Sequence, residues 1–180
     1  MSPSIKQLNS DILSDDEGRR TMALRETMEL AYDNAGELSS LPPLLVVLEG
    51  GSEECRQMAS WSLGKLAQSG IGDMSELQYL VTALSDEDAE VRENCAWALG
   101  ELAGDQIGAE EELPRLTALL TDETATVRGM AAWTLGRLAQ RMGLVDEGSI
   151  APLETLVADK SLYVSKGAEY ALRRLKERVR

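Results

Sequence analysis

The sequence predicts an all-α fold made of five two-helix repeats of about 36 residues each. Arginine recurs at that spacing, and an aromatic residue, a glycine and several leucines recur with it in a constant order. The hydrophobic share is 43% but the aromatic share is 4%, with no Phe, which favours closely packed helices over a β-sandwich or barrel. The main recurring positions are Arg20, Arg56, Arg92 and Arg128; Trp61, Trp97 and Trp133; Gly64, Gly100 and Gly136; and Leu66, Leu102 and Leu138.

The first helix of each repeat, called helix A, is typified by residues 113–120. Leu113, Leu116 and Leu120 follow the i, i+3, i+7 period of a helical face. A short acidic turn comes next, as at residues 85–88, and its acids suit the positive end of the helix dipole. Prolines lie at the predicted helix starts, where a missing N–H costs nothing: Pro42, Pro114 and Pro152.

The second helix, called helix B, is typified by residues 91–103. Small residues in it allow neighbouring helices to approach closely. Cys55 and Cys95 lie on its predicted inward stripe, so we expect both to be small buried hydrophobes. The inward stripe of the third repeat contains Val91, Cys95, Ala98, Leu99 and Leu102.

The five repeats make one predicted domain over residues 1–180. The first is degenerate, with Arg25 in the Trp position and Met28 in the glycine position. The fifth is shifted by one residue, with Tyr170 in the Trp position and Arg173 in the glycine position. Atypical terminal repeats are expected because they present a polar outer surface to water. The predicted boundaries are about 3–35, 39–71, 75–107, 111–144 and 149–180.

Residues 86–102 resemble a HEAT repeat, in particular the short PBS-lyase HEAT-like subtype. The resemblance rests on an acidic turn, a Val-Arg pair, an alanine-rich stretch and a final Ala-Leu-Gly, and residues 122–138 follow the same pattern. The second repeat departs from it, with Gly50 in the Asp position and Cys55 in the Val position. The resemblance implies a right-handed α-α superhelix with A helices on the convex side and B helices on the concave side. It says almost nothing about function.

The recurring arginines allow two interpretations. They could present a positive stripe to an anionic partner, or each could pair with an acid of its own or the adjacent inter-helix turn. The resemblance implies the structural role, which suits a planar guanidinium with five donors. Examples of such pairs are Asp86 with Arg92 and Asp122 with Arg128.

The aromatic row marks the candidate binding site, because it lies on helix B roughly opposite the inward stripe. Stacked repeats would turn this row into the floor of a concave groove, and Trp, Tyr, Met and Arg are enriched at binding hot spots. Alternatively, the rings fill space between repeats. The predicted groove residues are Arg25, Met58, Trp61, Lys65, Asn94, Trp97, Glu101, Met130, Trp133, Arg137, Tyr170 and Arg174.

Composition argues against several classes of function. The chain has no His, the commonest general base and metal ligand at neutral pH. A net charge of −13 disfavours nucleic-acid binding. Two cysteines imply no disulfide framework, and neither a signal peptide nor a membrane span is evident. We therefore expect a cytoplasmic protein that is not an enzyme and has no catalytic residues, cofactor or metal site, and no nucleic-acid or membrane partner.

The leading hypothesis is a protein–protein interaction scaffold that binds a protein or peptide in the concave groove. The alternative is a phycobilin lyase-like or phycobilisome-associated protein that handles a tetrapyrrole chromophore, as the repeat subtype implies. HEAT-like DNA glycosylases need a basic groove, which the net charge disfavours. The basic residues 173–180 fit the end of a capping helix, or a docking site for an acidic partner.

Overall fold

The structure, a computed structural model, describes residues 3–178, so the predicted ends at 1–2 and 179–180 lie outside the described residues. Within that range it contains ten α-helices and no strand. Short 3₁₀ turns precede α3, α5, α7 and α9. The helices are α1 (Ile5–Ile12), α2 (Glu17–Tyr32), α3 (Leu41–Gly50), α4 (Glu53–Gln68), α5 (Leu77–Ala83), α6 (Ala89–Leu102), α7 (Leu113–Leu119), α8 (Ala125–Met142), α9 (Ile150–Leu156) and α10 (Leu162–Arg178).

The odd-numbered helices are the A helices and the even-numbered helices are the B helices. Each B helix packs against its own A helix and against the B helices of the neighbouring repeats. Consecutive B helices are in much closer contact than consecutive A helices. The more closely spaced row lies on the inside of a curved array, so the B helices line the concave face.

The core runs along the whole array between the two rows of helices. Leucines that recur at the repeat spacing are fully buried, and each contributes about 1.5–3 kcal/mol. Cys55 and Cys95 are free and buried, as expected, and burial raises the pKa of the Cys95 thiol. The central leucines are Leu44, Leu80, Leu116 and Leu153 on the A helices and Leu63, Leu99 and Leu135 on the B helices.

Three of the four recurring arginines join one repeat to the next. Arg56 donates from Nε and Nη2 to the two carboxylate oxygens of Asp86, at 2.8 and 3.0 Å. This two-point geometry fixes direction as well as distance. Both side chains are largely buried, at 14% and 11% exposure, so the pair is only weakly screened by water. Arg92 pairs with Asp122 in the same two-point way, at 2.8 and 3.1 Å. Arg128 Nε and Nη2 instead both donate to Oδ2 of Asp159, at 3.2 and 2.9 Å.

Each pair also shapes two inter-helix turns. Arg92 Nη1 donates to the carbonyl oxygens of Asp86 and Glu87 in its own turn, at 2.9 and 3.0 Å. In the next turn, Asp122 Oδ1 accepts from the Thr124 N–H at 2.8 Å, just before α8 begins. One ion pair therefore holds the turn of its own repeat and the turn of the following repeat.

The expectation that these arginines pair with inter-helix turns is confirmed, but the two examples chosen from the sequence are wrong. Arg92 pairs with Asp122 rather than Asp86, because its own turn already occupies Nη1 through backbone carbonyls. For the same reason Arg128 pairs with the fifth repeat. The hydrogen bond to Asp86 raises the pKa of Arg56, and that to Asp122 raises the pKa of Arg92.

Two buried glutamates begin helices α5 and α7, and sequence reasoning did not single them out. Glu76 and Glu112 are 0% and 1% exposed. Their Oε1 atoms accept from the backbone N–H groups of Asp73 and Ala109, at 2.8 and 2.7 Å. Their Oε2 atoms are buried without a hydrogen-bond partner among the described residues. Burial raises the pKa of each carboxyl to about 7.

Replacing Asp122 tests the pairs between repeats. Asp122→Ala removes the partner of Arg92 and the acceptor of the Thr124 N–H, so we expect a loss of about 2–4 kcal/mol in unfolding free energy. Asp122→Asn keeps an acceptor for the turn and should lose less. Urea denaturation measures both, with Glu123→Ala as the exposed control. Equal stability of the Ala variant and the control would contradict the role of the pair.

Replacing both buried glutamates by glutamine tests their titration. A folded pKa of about 7, above the ordinary 4.5, stabilises the protein at low pH, and that contribution is lost as the pH rises through 7. The wild type should therefore lose stability between pH 5 and pH 8. The Glu76→Gln, Glu112→Gln double variant should lose less, by roughly 2 kcal/mol or more. Urea denaturation at both pH values checks this, with exposed Glu110→Gln as control, and an unchanged pH profile in the double variant would refute it.

Candidate partner-binding face

The aromatic row on the B helices packs against the glycines of the preceding repeats. A Cβ atom added to Gly64 would come within 2.4 Å of the Trp97 ring, so only glycine leaves room for it. The rings are half-buried. The packing interpretation is therefore confirmed for these rings, and their role in binding stays a prediction. The equivalent positions are Gly100 beside the Trp133 ring and Gly136 beside the Tyr170 ring, where an added Cβ atom would also overlap the ring.

Polar groups hold the outer parts of the two central rings. Trp97 Nε1 donates to Glu101 Oε1 at 3.0 Å. The Arg137 guanidinium lies 5.2 Å from the centre of the Trp133 ring. Arg137 also donates to the Gly100 carbonyl at 3.0 Å and to Glu101 at 3.3 Å. A cation of this chain therefore already covers the face of one ring.

The last ring is held in the same way. Tyr170 donates its hydroxyl proton to Gln140 Oε1 at 2.6 Å, and the Arg174 guanidinium lies 5.6 Å from its ring centre. Arg173, in the glycine position of the fifth repeat, is exposed. No ring of a further repeat lies against it in the part of the chain that the structure describes.

The remaining predicted groove residues are not equally accessible. Met58 and Asn94 are only 8% exposed, so the expectation that they line an open groove is wrong. Close approach of α4 and α6 buries them, and Asn94 Nδ2 donates to Ser60 Oγ at 3.2 Å. Arg25, in contrast, is exposed and pairs with Glu54 at 2.9 Å.

A pocket of about 340 Å³ opens near the N-terminal end of the B-helix row. It exists because Trp61 faces Met28 instead of a glycine, and both are only partly buried. Lys65 extends over the neighbouring Tyr32, with its Nζ atom 5.8 Å from the ring centre. The pocket is lined by Met28, Glu29, Tyr32, Asp33 and Trp61.

A second pocket of about 400 Å³ lies between α8 and α10 and is almost entirely apolar. Leu162, 71% exposed, and Tyr163, 45% exposed, lie at the start of α10. The Tyr163 hydroxyl contacts Met130 Sδ at 3.7 Å, and burial of its ring raises the pKa of Tyr163 to about 12. The lining residues are Gly129, Trp133, Leu162, Tyr163, Lys166, Gly167 and Tyr170.

Sequence reasoning missed Tyr32, Leu162 and Tyr163 because it followed a single repeat position. Tyr163 precedes Tyr170 by seven residues, two helical turns, and this spacing could have placed both on one face of α10. A third cleft, of about 380 Å³, lies between α3 and α5 on the A-helix side and contains the exposed Tyr79. That cleft provides an internal control for the B-helix face.

Across residues 3–178, no three His, Cys, Asp or Glu side chains converge as metal ligands would. No helix within the same range combines the length and the apolar character that crossing a bilayer requires.

Stacked two-helix repeats with a concave row of B helices define the protein as an α-solenoid. A profile of HEAT repeats matches residues 41–123 and 77–173. The chain therefore belongs to the HEAT-repeat family, and the resemblance seen in its sequence is confirmed. Its fold is the predicted right-handed α-α superhelix of two-helix repeats.

Solved structures of other solenoids superpose on the chain at low sequence identity, which shows a common fold. A designed armadillo repeat protein in complex with the peptide (KR)4 has a TM-score of 0.74 and 23% identity, covering 98% of this chain and 88% of that chain. Computationally designed armadillo repeat proteins for modular peptide recognition have a TM-score of 0.74 and 24% identity, covering 95% of this chain and 82% of that chain. The complex of CpcE and CpcF of phycocyanin lyase from Nostoc sp. PCC7120 has a TM-score of 0.75 and 19% identity, covering 98% of this chain and 66% of that chain. No curated protein matches the chain in sequence.

Replacing Gly100 tests the contact between ring and glycine. Gly100→Ala adds a methyl group where the Trp133 ring lies, so we expect a loss of about 1–3 kcal/mol in spite of the better helix propensity of alanine. Gly50→Ala is the control, because a Cβ there meets nothing within 4 Å. Thermal or urea unfolding measures both. A Gly100→Ala variant as stable as the control would show that the ring is not held against the glycine.

Proposed function

We propose that this protein is a non-catalytic scaffold that binds an extended or helical segment of a partner protein along its concave B-helix face. The observation that carries the proposal is the pair of pockets on that face. One lies near each end of the row, with half-buried rings between them. The peptide complex of the designed armadillo protein supports the use of such a face for peptides.

The two pockets differ in chemistry and so suggest the partner's character. Glu29 and Asp33 place two carboxylates in the first pocket, beside a Tyr32 ring that Lys65 already covers on one face, and these carboxylates favour a Lys or Arg side chain of the partner. The net charge of −13 favours a basic partner as well. The apolar pocket beside Leu162 and Tyr163 suits a bulky aliphatic or aromatic anchor. The proposed partner segment therefore carries a cation toward one end and an apolar anchor toward the other.

The tetrapyrrole-handling alternative has weaker support. The likeness to the phycocyanin lyase complex is at 19% identity and concerns the fold alone. Both cysteines are free and buried, so neither thiol is accessible to a chromophore. We therefore retain the scaffold as the proposed function.

Peptides selected from a displayed random library test the proposal. Affinities of the selected peptides are then measured for the wild type and for variants of exposed residues, because the half-buried rings also hold the fold together. Leu162→Ser and Tyr163→Ala should each weaken binding roughly tenfold or more, as loss of an anchor contact does. Tyr79→Ala, on the A-helix side, should leave it unchanged. If only Tyr79→Ala weakens the binding of the selected peptides, the binding site is the convex cleft and the proposal is refuted.

A further inference from the structure

Arg20 occupies the first of the four recurring arginine positions but has no carboxylate partner among residues 3–178. Like the other three, it binds the turn of its own repeat, donating from Nη2 to the Ser14 carbonyl at 2.7 Å. The partner of each following arginine lies 30 or 31 residues further along the chain. At that distance from Arg20 the chain has Gly50, and no ion pair to Arg20 exists within residues 3–178.

The missing carboxylate leaves a pocket of about 190 Å³ beside the guanidinium. Helix α3 continues to Gly50 and α4 begins at Glu53, so this turn is shorter than the one that contains Asp86. A Cβ atom on Gly50 would meet nothing within 4 Å. With about 30 Å³ for each water molecule, the volume holds a group of about six heavy atoms.

Polar and apolar atoms line this pocket in similar measure, and its side chains other than that of Arg20 are aliphatic. Ile12, Leu13, Val46 and Val47 line it together with Arg20 and Gly50. Leu13 and Val46 are 52% and 56% exposed, so the pocket opens to water between two uncovered aliphatic side chains. A site with one guanidinium and aliphatic walls suits a small anion that carries a hydrocarbon group.

We propose that the Arg20 pocket binds a carboxylate carried on a short branched aliphatic stem. The carboxylate takes the position that Asp86, Asp122 and Asp159 take in the other repeats, and the stem lies against Leu13 and Val46. Acidic surroundings do not prevent such pairing, since Arg56 donates to the carboxylates of both Asp86 and Glu87, the latter at 3.2 Å. Either a free branched-chain acid or the C-terminal residue of a polypeptide presents this chemistry. The pocket lies at the edge of the array formed by the inter-helix turns, so the proposal is independent of the concave face.

The test is an NMR titration of the Arg20 Nε–H resonance in the full-length, ¹⁵N-labelled chain. Isovalerate should shift this resonance saturably, and the uncharged isovaleramide should not. Acetyl-Gly-Leu with a free C-terminus tests the polypeptide source. Affinity roughly tenfold or more above that of isovalerate assigns the site to a chain terminus, and equal affinity assigns it to a free acid. Absence of a saturable shift with both carboxylates overturns the proposal.

Two variants at one position provide the matched control. Gly50→Asp supplies a carboxylate from the chain itself and should abolish isovalerate binding, whereas Gly50→Asn, of nearly the same shape, should retain it. Arg20→Gln should also abolish binding, monitored through the Leu13 and Val46 methyl resonances. Isovalerate binding that is equal in the Asp and Asn variants contradicts the assignment of this pocket as the position of a missing carboxylate.

Discussion

The stacking of this protein depends on an ion pair that crosses from one repeat to the next. In Arg92 and Asp122 a planar donor group meets two carboxylate oxygens, while its remaining nitrogen holds the turn of its own repeat. Distance and orientation between consecutive repeats are therefore set at the turn edge. At the same junctions the B helices approach closely enough for a Trp ring to lie directly on a glycine of the neighbouring helix. The alanine-rich sequence of helix B follows from the same close approach.

Close approach also decides which surface is left for a partner. The rings of Trp97, Trp133 and Tyr170 each pack with one face against a glycine of the preceding repeat. Arg137 lies over the Trp133 ring and Arg174 over the Tyr170 ring. The accessible apolar surface therefore moves to places where the packing is interrupted. At one end Met28 replaces a glycine, and at the other Leu162 and Tyr163 begin the last helix. Degenerate terminal repeats thus contribute more to the candidate site than the regular ones between them.

Much of the fold could be predicted from the sequence because identical contacts recur at a constant spacing. Leu80, Leu116 and Trp97 identify their repeats without knowledge of any partner residue. The sequence did not reveal whether each arginine pairs within its own repeat or with the next one. Asp86 is closer along the chain to Arg92, but it pairs with Arg56. The burial of individual helix B residues was harder to predict, because Met58 and Asn94 lie on the same stripe as Trp97 and are covered by neighbouring helices.

The vacant partner position of Arg20 also affects how the array can move. Repeats two to five are linked at every junction by a largely buried Arg–Asp ion pair, whereas the first junction has the exposed Arg25–Glu54 pair in addition to helix packing, and α2 and α4 are in less contact than later B-helix neighbours. In a solenoid, flexing is a sum of small hinge motions at individual junctions. We therefore expect the first junction to be the most compliant one, and it contains the acidic pocket. In the proposed scaffold, the apolar pocket therefore lies among ion-paired repeats at one end of the row, and the acidic pocket lies at the less constrained junction at the other end.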